Sequence, residues 1–285
     1  MTFSIVAWDP SPSTGPEWGV AVASKFLAVG AAVPWGRAGA GAVATQALAN
    51  LAYGPEGLDR LAAGASADAV AESLTGADAH KEHRQLGVID AAGRVATFTG
   101  KECMSWAGGR TGDGYCCQGN ILASRRVIDD MASAFERAEG DLAERLLEAL
   151  DAGDGAGGDR RGRQSAAVLV VSRAGGYGGG TDTAVDLRVE DHPEPVPELA
   201  RLLGLHRLYF PRKDRLSFVD VDDELAGELR ELLALHGYKA PGGPGYDDGL
   251  KEALFTYGGT ENLEERWSDD ATIEQGVLDH LRARR

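Results

Sequence analysis

Cysteine is scarce in this sequence of 285 residues, and the three that occur, Cys103, Cys116 and Cys117, do not follow a paired pattern. Small secreted domains that depend on disulfides contain an even and much larger number of cysteines. Cys116 and Cys117 are adjacent, and adjacent cysteines rarely bridge each other. The sequence therefore argues against a disulfide framework and predicts a protein of a reducing compartment, the cytoplasm.

Long apolar runs are also missing. No run approaches the ~20 residues that a transmembrane helix needs. Met1 is not followed by the basic and apolar regions of a secretory signal peptide. We therefore expect neither a membrane span nor export.

Positive charge is limited, since the formal net charge is -15 at pH 7 and only six lysines occur. A surface of this sign repels phosphate backbones and anionic lipids. We therefore expect no nucleic acid and no membrane among the partners. A small-molecule or peptide substrate is expected on other grounds, from the position of Thr2.

Patterns typical of metal and cofactor sites are weak. His80 and His83 are three residues apart in a polar stretch, which matches metal-ligand spacing poorly. The glycine-rich residues 155–165 lack the Gly-Lys-Ser/Thr of a phosphate-binding loop. We expect no metal and no cofactor.

The hydrophobic pattern predicts a mixed α+β fold. Strands are expected over residues 2–8, 19–24, 27–33, 41–46, 85–90, 94–99, 115–119, 166–172 and 183–189, with helices over 48–61, 67–74, 124–138, 141–152 and 196–205. Runs of strands separated by pairs of helices favour two antiparallel sheets stacked face to face with helices outside. The expected architecture is an αββα sandwich, with residues 1–208 as its domain.

The composition changes after about residue 208. Residues 211–223 are charged, and helices are expected over 224–235, 247–255 and 273–282. Their apolar residues are enough for a modest core of their own. Residues 209–285 are therefore predicted to form a small helical C-terminal domain.

The position of Thr2 indicates a chemistry. In an αββα sandwich the first residue of the N-terminal strand lies at the mouth of a cleft, and N-terminal nucleophile hydrolases use a Thr, Ser or Cys there with its own α-amine as general base. Thr2 is small enough for Met1 to be removed. The alternative is that Thr2 is simply a β-prone residue at the start of a strand.

Specific stretches of the sequence resemble a known family. TFSIVAWD, GVAVASKFLAVGAAVPWGRAGAGAVATQALAN, RQLGVID, GRVATFTG, QGN, AGGDRRGRQSAAVLVV and DLRVEDH resemble an N-terminal-nucleophile-hydrolase-like family, domain-of-unknown-function family 1028. The resemblance covers about two thirds of the chain and implies a proteasome-like sandwich with Thr2 as candidate nucleophile. It brings no established substrate.

The resemblance also implies supporting residues. Proteasome-type chains place an Asp at the end of the second strand and a Lys on the third. Here Ser24 stands near the place of that Asp, Lys25 follows it, and no Lys occupies the third-strand position. Asp159 resembles the Asp of a late Asp-x-x-Ser stretch and could hold the N-terminus, although it could equally be a loop aspartate that pairs with its neighbouring arginines. Lys25 is expected to keep the amine neutral by lowering its pKa, although it could equally be a lysine at a strand end.

Further polar residues at the ends of strands and helices are candidates for substrate binding. Arg160 and Arg163 could bind a substrate carboxylate, and each of the others could instead be an ordinary cap or surface group. The candidate substrate-binding residues are Gln46, Asn50, Arg84, Asn120, Arg160 and Gln164.

The sequence supports two function hypotheses. The first is a Thr-dependent hydrolase of an amide or peptide-type bond, and the alternative is a non-catalytic small-molecule-binding or assembly module on the same fold. The segment from about residue 209, with LLALHGY, DDGLKEALFTYGGTENLEER and IEQGVLDHLR, resembles a peptidoglycan-binding-like domain. Cell-wall binding fits poorly with the lack of an export signal, so a lid or an oligomer contact is an equal alternative for this segment. A homo-oligomer is expected.

Overall fold

The computed structural model describes residues 2–10 and 15–283. Residues 11–14, part of the predicted loop between the first two strands, lie outside this part. The chain forms two compact units that divide between Leu202 and Leu203. Among the described residues, no helix has the length and apolar character needed to cross a membrane.

The larger sheet of the first unit has six antiparallel strands. It consists of β1 (Thr2–Asp9), β2 (Glu17–Ser24), β7 (Gly108–Gly112), β8 (Tyr115–Asn120), β9 (Ser165–Val171) and β10 (Thr183–Val189). The strand order is β10-β9-β2-β1-β8-β7, so β1 lies between β2 and β8. Both neighbours of β1 are antiparallel to it.

The second sheet has four antiparallel strands in the order β3-β4-β5-β6. These are β3 (Pro34–Arg37), β4 (Gly41–Ala47), β5 (Arg84–Asp90) and β6 (Val95–Thr99). The two sheets pack against each other, with contacts from β1 to β4 and from β8 to β5. Val6, Val20, Ala42, Ala44 and Ile89 belong to the shared core between them.

Helices cover both sheets. In the first unit they are α1 (Tyr53–Ala62), α2 (Ala67–Ala77), α3 (Arg126–Arg137), α4 (Leu142–Gly155) and α5 (Pro195–Tyr209), which runs past the division between the units. The first two contact the four-stranded sheet, and α3 and α4 contact the six-stranded sheet. Ser66 caps α2, and Asp141 begins α4 with a capping box. The predicted α+β class with antiparallel sheets is confirmed.

Two predicted elements differ in the structure. Residues 27–33 were expected to form a strand, but they form turns and a short 3-10 helix at Val29–Ala31, which follows Ala28 in a left-handed conformation. The strand begins instead at Pro34, a position that tolerates proline because a first residue need not donate to the sheet. The helix expected from residue 48 begins at Tyr53.

Four strands were not predicted from the sequence. The β7 segment Gly108–Gly112 is glycine-rich and has no apolar alternation, and β3 is interrupted by its own glycine and arginine. In the second unit, β11 (Phe218–Asp220) and β12 (Thr272–Glu274) pair over only three residues each. Short strands of this kind carry too little periodicity to be recognised.

The second unit has its own core. Its helices α6 (Asp223–Leu235), α7 (Asp248–Thr260) and α8 (Gln275–Ala283) bury Leu229, Leu232, Leu254, Tyr257 and Leu278 against one another. Arg266 forms a nearly buried ion pair with Glu274 and donates from Nε to the carbonyl of Leu208 at 2.7 Å.

We expect the first unit to fold without the second. A chain ending at Leu208 keeps every strand of both large sheets, because the last of them, β10, ends at Val189. Its thermal unfolding, followed by circular dichroism, should remain a single cooperative transition. Loss of that transition would show that residues 209–285 complete the core of the first unit.

Candidate functional site

Thr2 is the first residue of β1, and its side chain is buried with that of Ser24. Thr2 lies opposite Asn120 of β8, and its Oγ1 is 3.1 Å from Oγ of Ser24 at the end of β2. The residue is only 5% exposed. Alternate residues of a strand point to the same face, and Ser4 donates from Oγ to Oε1 of Gln46 on the other sheet. Thr2 therefore faces the space between the sheets.

A buried network of amide side chains fixes the sheets at this end. Gln46 and Gln85 are opposite each other on β4 and β5, and Gln46 Nε2 donates to Gln85 Oε1 at 2.8 Å. Asn120 Nδ2 donates to the same Oε1 at 2.9 Å. Gln46 Nε2 also lies 3.5 Å from the carbonyl oxygen of Thr2. Gln46 and Asn120, both substrate-binding candidates, thus hold the strand that carries Thr2.

Ser4 and Gln118 extend this network deeper between the sheets. Gln118 Nε2 donates to Ser4 Oγ at 2.7 Å. Gln85 completes the arrangement by donating to the carbonyl of Gly119 at 2.7 Å and to Thr99 Oγ1 at 2.9 Å. None of Ser4, Gln85, Thr99 and Gln118 was predicted from the sequence as a site residue. Their signal is a polar residue at an inward-facing position of a strand that is otherwise apolar.

The backbone is strained directly after Gln46 and Asn120, two members of the amide network. Ala47 follows Gln46 with φ 73°, and Ile121 follows Asn120 with φ 49°. A β-branched residue with positive φ is uncommon, because its side chain crowds the backbone. Such conformations concentrate at functional sites, so the strain marks the same end of the sheets as Thr2.

Asp159 lies next to the end of β2 and not on the Thr2 hydroxyl. Its Oδ2 accepts a hydrogen bond from the backbone N–H of Lys25 at 2.8 Å. Arg161 binds the same carboxylate, with Nη2 3.0 Å from Oδ2. Asp159 is buried, whereas Lys25 is exposed. The carboxylate therefore fixes the segment that follows Ser24.

Arg84 and Asn50 converge on Asp78. Arg84 Nε lies 2.9 Å and Asn50 Nδ2 lies 3.3 Å from Asp78 Oδ2, which also accepts from the Tyr53 hydroxyl at 2.9 Å. The Arg84 guanidinium holds the pKa of Asp78 well below its ordinary value, ahead of the opposing effect of burial. Burial and the Asp78 carboxylate raise the pKa of Tyr53. This cluster fixes the loop from β4 to α1.

The remaining candidates lie on the loop before β9. Arg163 Nε binds the Asp154 carboxylate at 2.8 Å, and Gln164 Nε2 donates to Asp191 Oδ1 at 3.1 Å. Arg160 is exposed, and its backbone N–H donates to the carbonyl of Ile121 at 3.2 Å. This hydrogen bond joins Arg160 to the segment that follows Asn120. Arg163 and Gln164 instead bind the carboxylates of Asp154 and Asp191.

The structure adds two observations on metals and thiols. Within residues 2–10 and 15–283, no group of three or more His, Cys, Asp or Glu side chains is arranged to hold a metal ion. Cys116 and Cys117 are buried in β8. Burial raises the pKa of the Cys116 thiol to about 12, so this thiol is not a nucleophile near neutral pH.

The Asp78 cluster predicts a pH-dependent stability. Because the folded-state pKa of Asp78 is lowered, its contribution is present above the ordinary value of 3.8 and is lost as the pH falls through the folded-state value. We expect Asp78→Asn to cost about 2 kcal/mol of unfolding free energy at neutral pH, and less as the pH falls below about 4. Urea unfolding across this range tests the prediction. An equal cost at every pH would contradict it.

Comparison with known proteins gives matches over both parts of the chain. Residues 2–199 match the model of the family of unknown function DUF1028, and residues 209–281 match the model described as "Putative peptidoglycan binding domain". No curated protein matches the chain.

Two solved structures are similar over the same share of the chain. The crystal structure of protein SPO2555 from Silicibacter pomeroyi, assigned to DUF1028, is 33% identical with a TM-score of 0.66, covering 72% of this chain and 86% of its own. The Anbu (Gly-1) mutant from Hyphomicrobium sp. strain MC1 is 11% identical with a TM-score of 0.33, covering 72% and 94%. The family model and the relative from Silicibacter pomeroyi together show that the chain belongs to the DUF1028 family.

Proposed function

We propose that this protein is an N-terminal nucleophile hydrolase of an amide or peptide-type bond, with Thr2 as nucleophile. The proposal takes the two packed sheets and their helices as the αββα sandwich of such enzymes. One observation carries it: the hydroxyl of Thr2, at the start of a central strand, lies 3.1 Å from the hydroxyl of Ser24 in a buried, rigid setting. A reacting group held in this way loses little freedom when it meets a substrate.

The proposed chemistry is acyl transfer to the Thr2 hydroxyl. Oγ1 attacks the carbonyl carbon of the amide while its proton passes to the α-amine of the same residue, which becomes free when Met1 is removed. The C–N bond then breaks, and the leaving amine takes that proton. Water hydrolyses the ester on Thr2 and restores the hydroxyl. Ser24 orients the nucleophile, since its Oγ can donate to or accept from Oγ1.

Asp159 and the amide network are positioning groups in this proposal. Asp159 holds the backbone N–H of Lys25 and so fixes Ser24, the preceding residue. Gln46 and Asn120 hold the strands on which Thr2 depends. Arg160 and Lys25, both exposed, are available to a carboxylate of the substrate.

A second candidate function is a non-catalytic binding or assembly module. Lys25 is exposed, and β3, with the sequence PWGR, offers no lysine in place of the third-strand lysine of proteasome-type chains. A module of this kind would keep the buried hydroxyl pair without using the amine of Thr2.

The proposal requires that the mature chain begin at Thr2. Met1 lies outside the described residues, so the test is chemical. Intact mass spectrometry of the protein from the cytosol of an expressing cell should show loss of one methionine, because threonine in second position permits its removal. A protein that keeps Met1 throughout has no free amine on Thr2 and would not support the nucleophile mechanism.

A further inference from the structure

Large apolar side chains are exposed at the end of the sheets where Thr2 lies. Among residues 2–10 and 15–202, six large hydrophobic or aromatic side chains are strongly exposed, and five of them are Phe26, Leu27, Leu48, Leu51 and Met104, at 50% to 64%. We call these five residues the apolar rim. The sixth, Tyr177, lies in the loop after β9, whose last residue Val171 pairs with Trp18 near the opposite end of β1.

The backbone ties each part of the apolar rim to a strand end of the candidate site. The carbonyl of Phe26 accepts from the hydroxyl of Ser165, which is opposite Ser24. The N–H of Leu48 donates to the carbonyl of His83 at 3.2 Å, and its carbonyl accepts from Arg84. The carbonyl of Met104 accepts from the N–H of Ile121, which follows Asn120, at 2.9 Å.

The apolar rim therefore lies on three backbone segments, each tied to a strand end on a different side of the Thr2 end of β1. Phe26 and Leu27 follow β2, on one side of β1, and Met104 is bound to the end of β8, on the other side. Leu48 and Leu51 follow β4, in the facing sheet. Exposed apolar side chains scattered singly need no explanation, whereas five on the segments around one end of the sheets favour an apolar ligand there.

We propose that the apolar rim binds a peptide with large apolar side chains on both sides of the bond presented to Thr2. A ligand with one apolar end would meet only one of the three sides, whereas an extended peptide places side chains on both sides of its reacting amide. The hydroxyls of Thr2 and Ser24 lie between the three sides, where the reacting amide of the peptide is presented, and the buried amide network supports them from behind. The inference rests on the proposed function for the identity of the reacting residue.

The test separates binding from hydrolysis by using the full-length Thr2→Ala protein. Its affinity for acetyl-Ala-Leu-Leu-Ala-Leu-amide and for the analogue with serine at each leucine is measured by isothermal titration calorimetry. We expect the leucine peptide to bind at least about tenfold more tightly, because its side chains leave water for the apolar rim. Adding Leu48→Ser and Leu51→Ser to the Thr2→Ala protein should lower its affinity for the leucine peptide about tenfold. Adding Tyr177→Ser instead should leave that affinity unchanged.

Three results would overturn the inference. Equal affinity for the two peptides would remove the apolar preference, and an equal loss in Tyr177→Ser would show that the binding is not local to the apolar rim. Light scattering that shows an oligomer dissociated by Leu48→Ser/Leu51→Ser, with peptide affinity unchanged, would assign the rim to contact between copies of the chain. Peptide binding is measured with Thr2→Ala and does not depend on hydrolysis. If only the nucleophile proposal fails, the leucine peptide still binds more tightly; if the binding proposal fails, this preference is absent.

Discussion

Replacing Thr2 by alanine is expected to abolish amide hydrolysis, with a loss of about 10³-fold or more in kcat. Alanine removes the hydroxyl that attacks the carbonyl, and removal of a nucleophile typically costs several orders of magnitude. Thr2→Ser should keep part of the activity, because it retains both a hydroxyl and the amine. An extra residue left before Thr2 should abolish activity as well, because it converts the amine into an amide that accepts no proton.

The measurement is turnover of a peptide that the wild-type protein cleaves, found first from a peptide library. Thr183→Ala is the matched control, because Thr183 begins β10 and is exposed at the opposite end of the sheet. It should hydrolyse the peptide at the wild-type rate. Asp159→Asn should fall between Thr2→Ala and wild type, since it loosens the segment after Ser24 without removing the nucleophile. Wild-type turnover by Thr2→Ala would show that another group carries the reaction.

Replacing Gln85 by leucine is expected to lower the free energy of unfolding by about 3 kcal/mol. Leucine is similar in size, but it cannot accept from Gln46 and Asn120 or donate to Gly119 and Thr99. Gln85 is fully buried, so water does not replace the lost partners. Each buried polar group left without a partner costs about 1–3 kcal/mol.

Urea unfolding measures the difference, and Gln164→Leu provides the same substitution at a partly exposed site. The side chain of Gln164 donates to Asp191 at the surface, so its replacement should change stability by less than about 0.5 kcal/mol. If both variants unfolded at the same urea concentration, the amide network would contribute little, and the support proposed for Thr2 would lose its basis.

The sequence predicted the regular part of this fold well. Strand β9 carries a nearly continuous apolar run, β1 is rich in β-prone residues, and α3 and α4 have apolar residues at helical spacing. Residues 27–33 were wrongly predicted as a strand because they are apolar for another reason: they pack into the core between the sheets. Val29 and Val33 pack there from a bent segment fixed by Ser165. Tertiary contacts, which no local pattern records, decided that conformation.

The candidate site could be predicted only in part, for a related reason. Thr2 begins β1, and Ser24 and Asn120 end the two neighbouring strands, so antiparallel pairing brings the three together. The order of strands and helices in the sequence predicted that Thr2 lies at this edge of the sheet. Gln85 is a buried member of the amide network that supports Thr2. Its segment, RQLGVID, shows only the pattern of an ordinary strand. Its importance depends on which side chains face it from β4 and β8, and pairing across 34 or 39 residues is not visible in one sequence.

Covalent labelling of the wild-type protein by a β-lactone tests the central claim most directly. The Thr2 hydroxyl should open the lactone ring and form an ester, which adds the full mass of the reagent to the chain once. Peptide mapping by mass spectrometry should place the addition on Thr2, Thr183→Ala should be labelled equally, and Thr2→Ala should not be labelled. A chain that begins at Thr2 and takes up no label there, or a Thr2→Ala protein labelled as strongly as the wild type, would contradict the account.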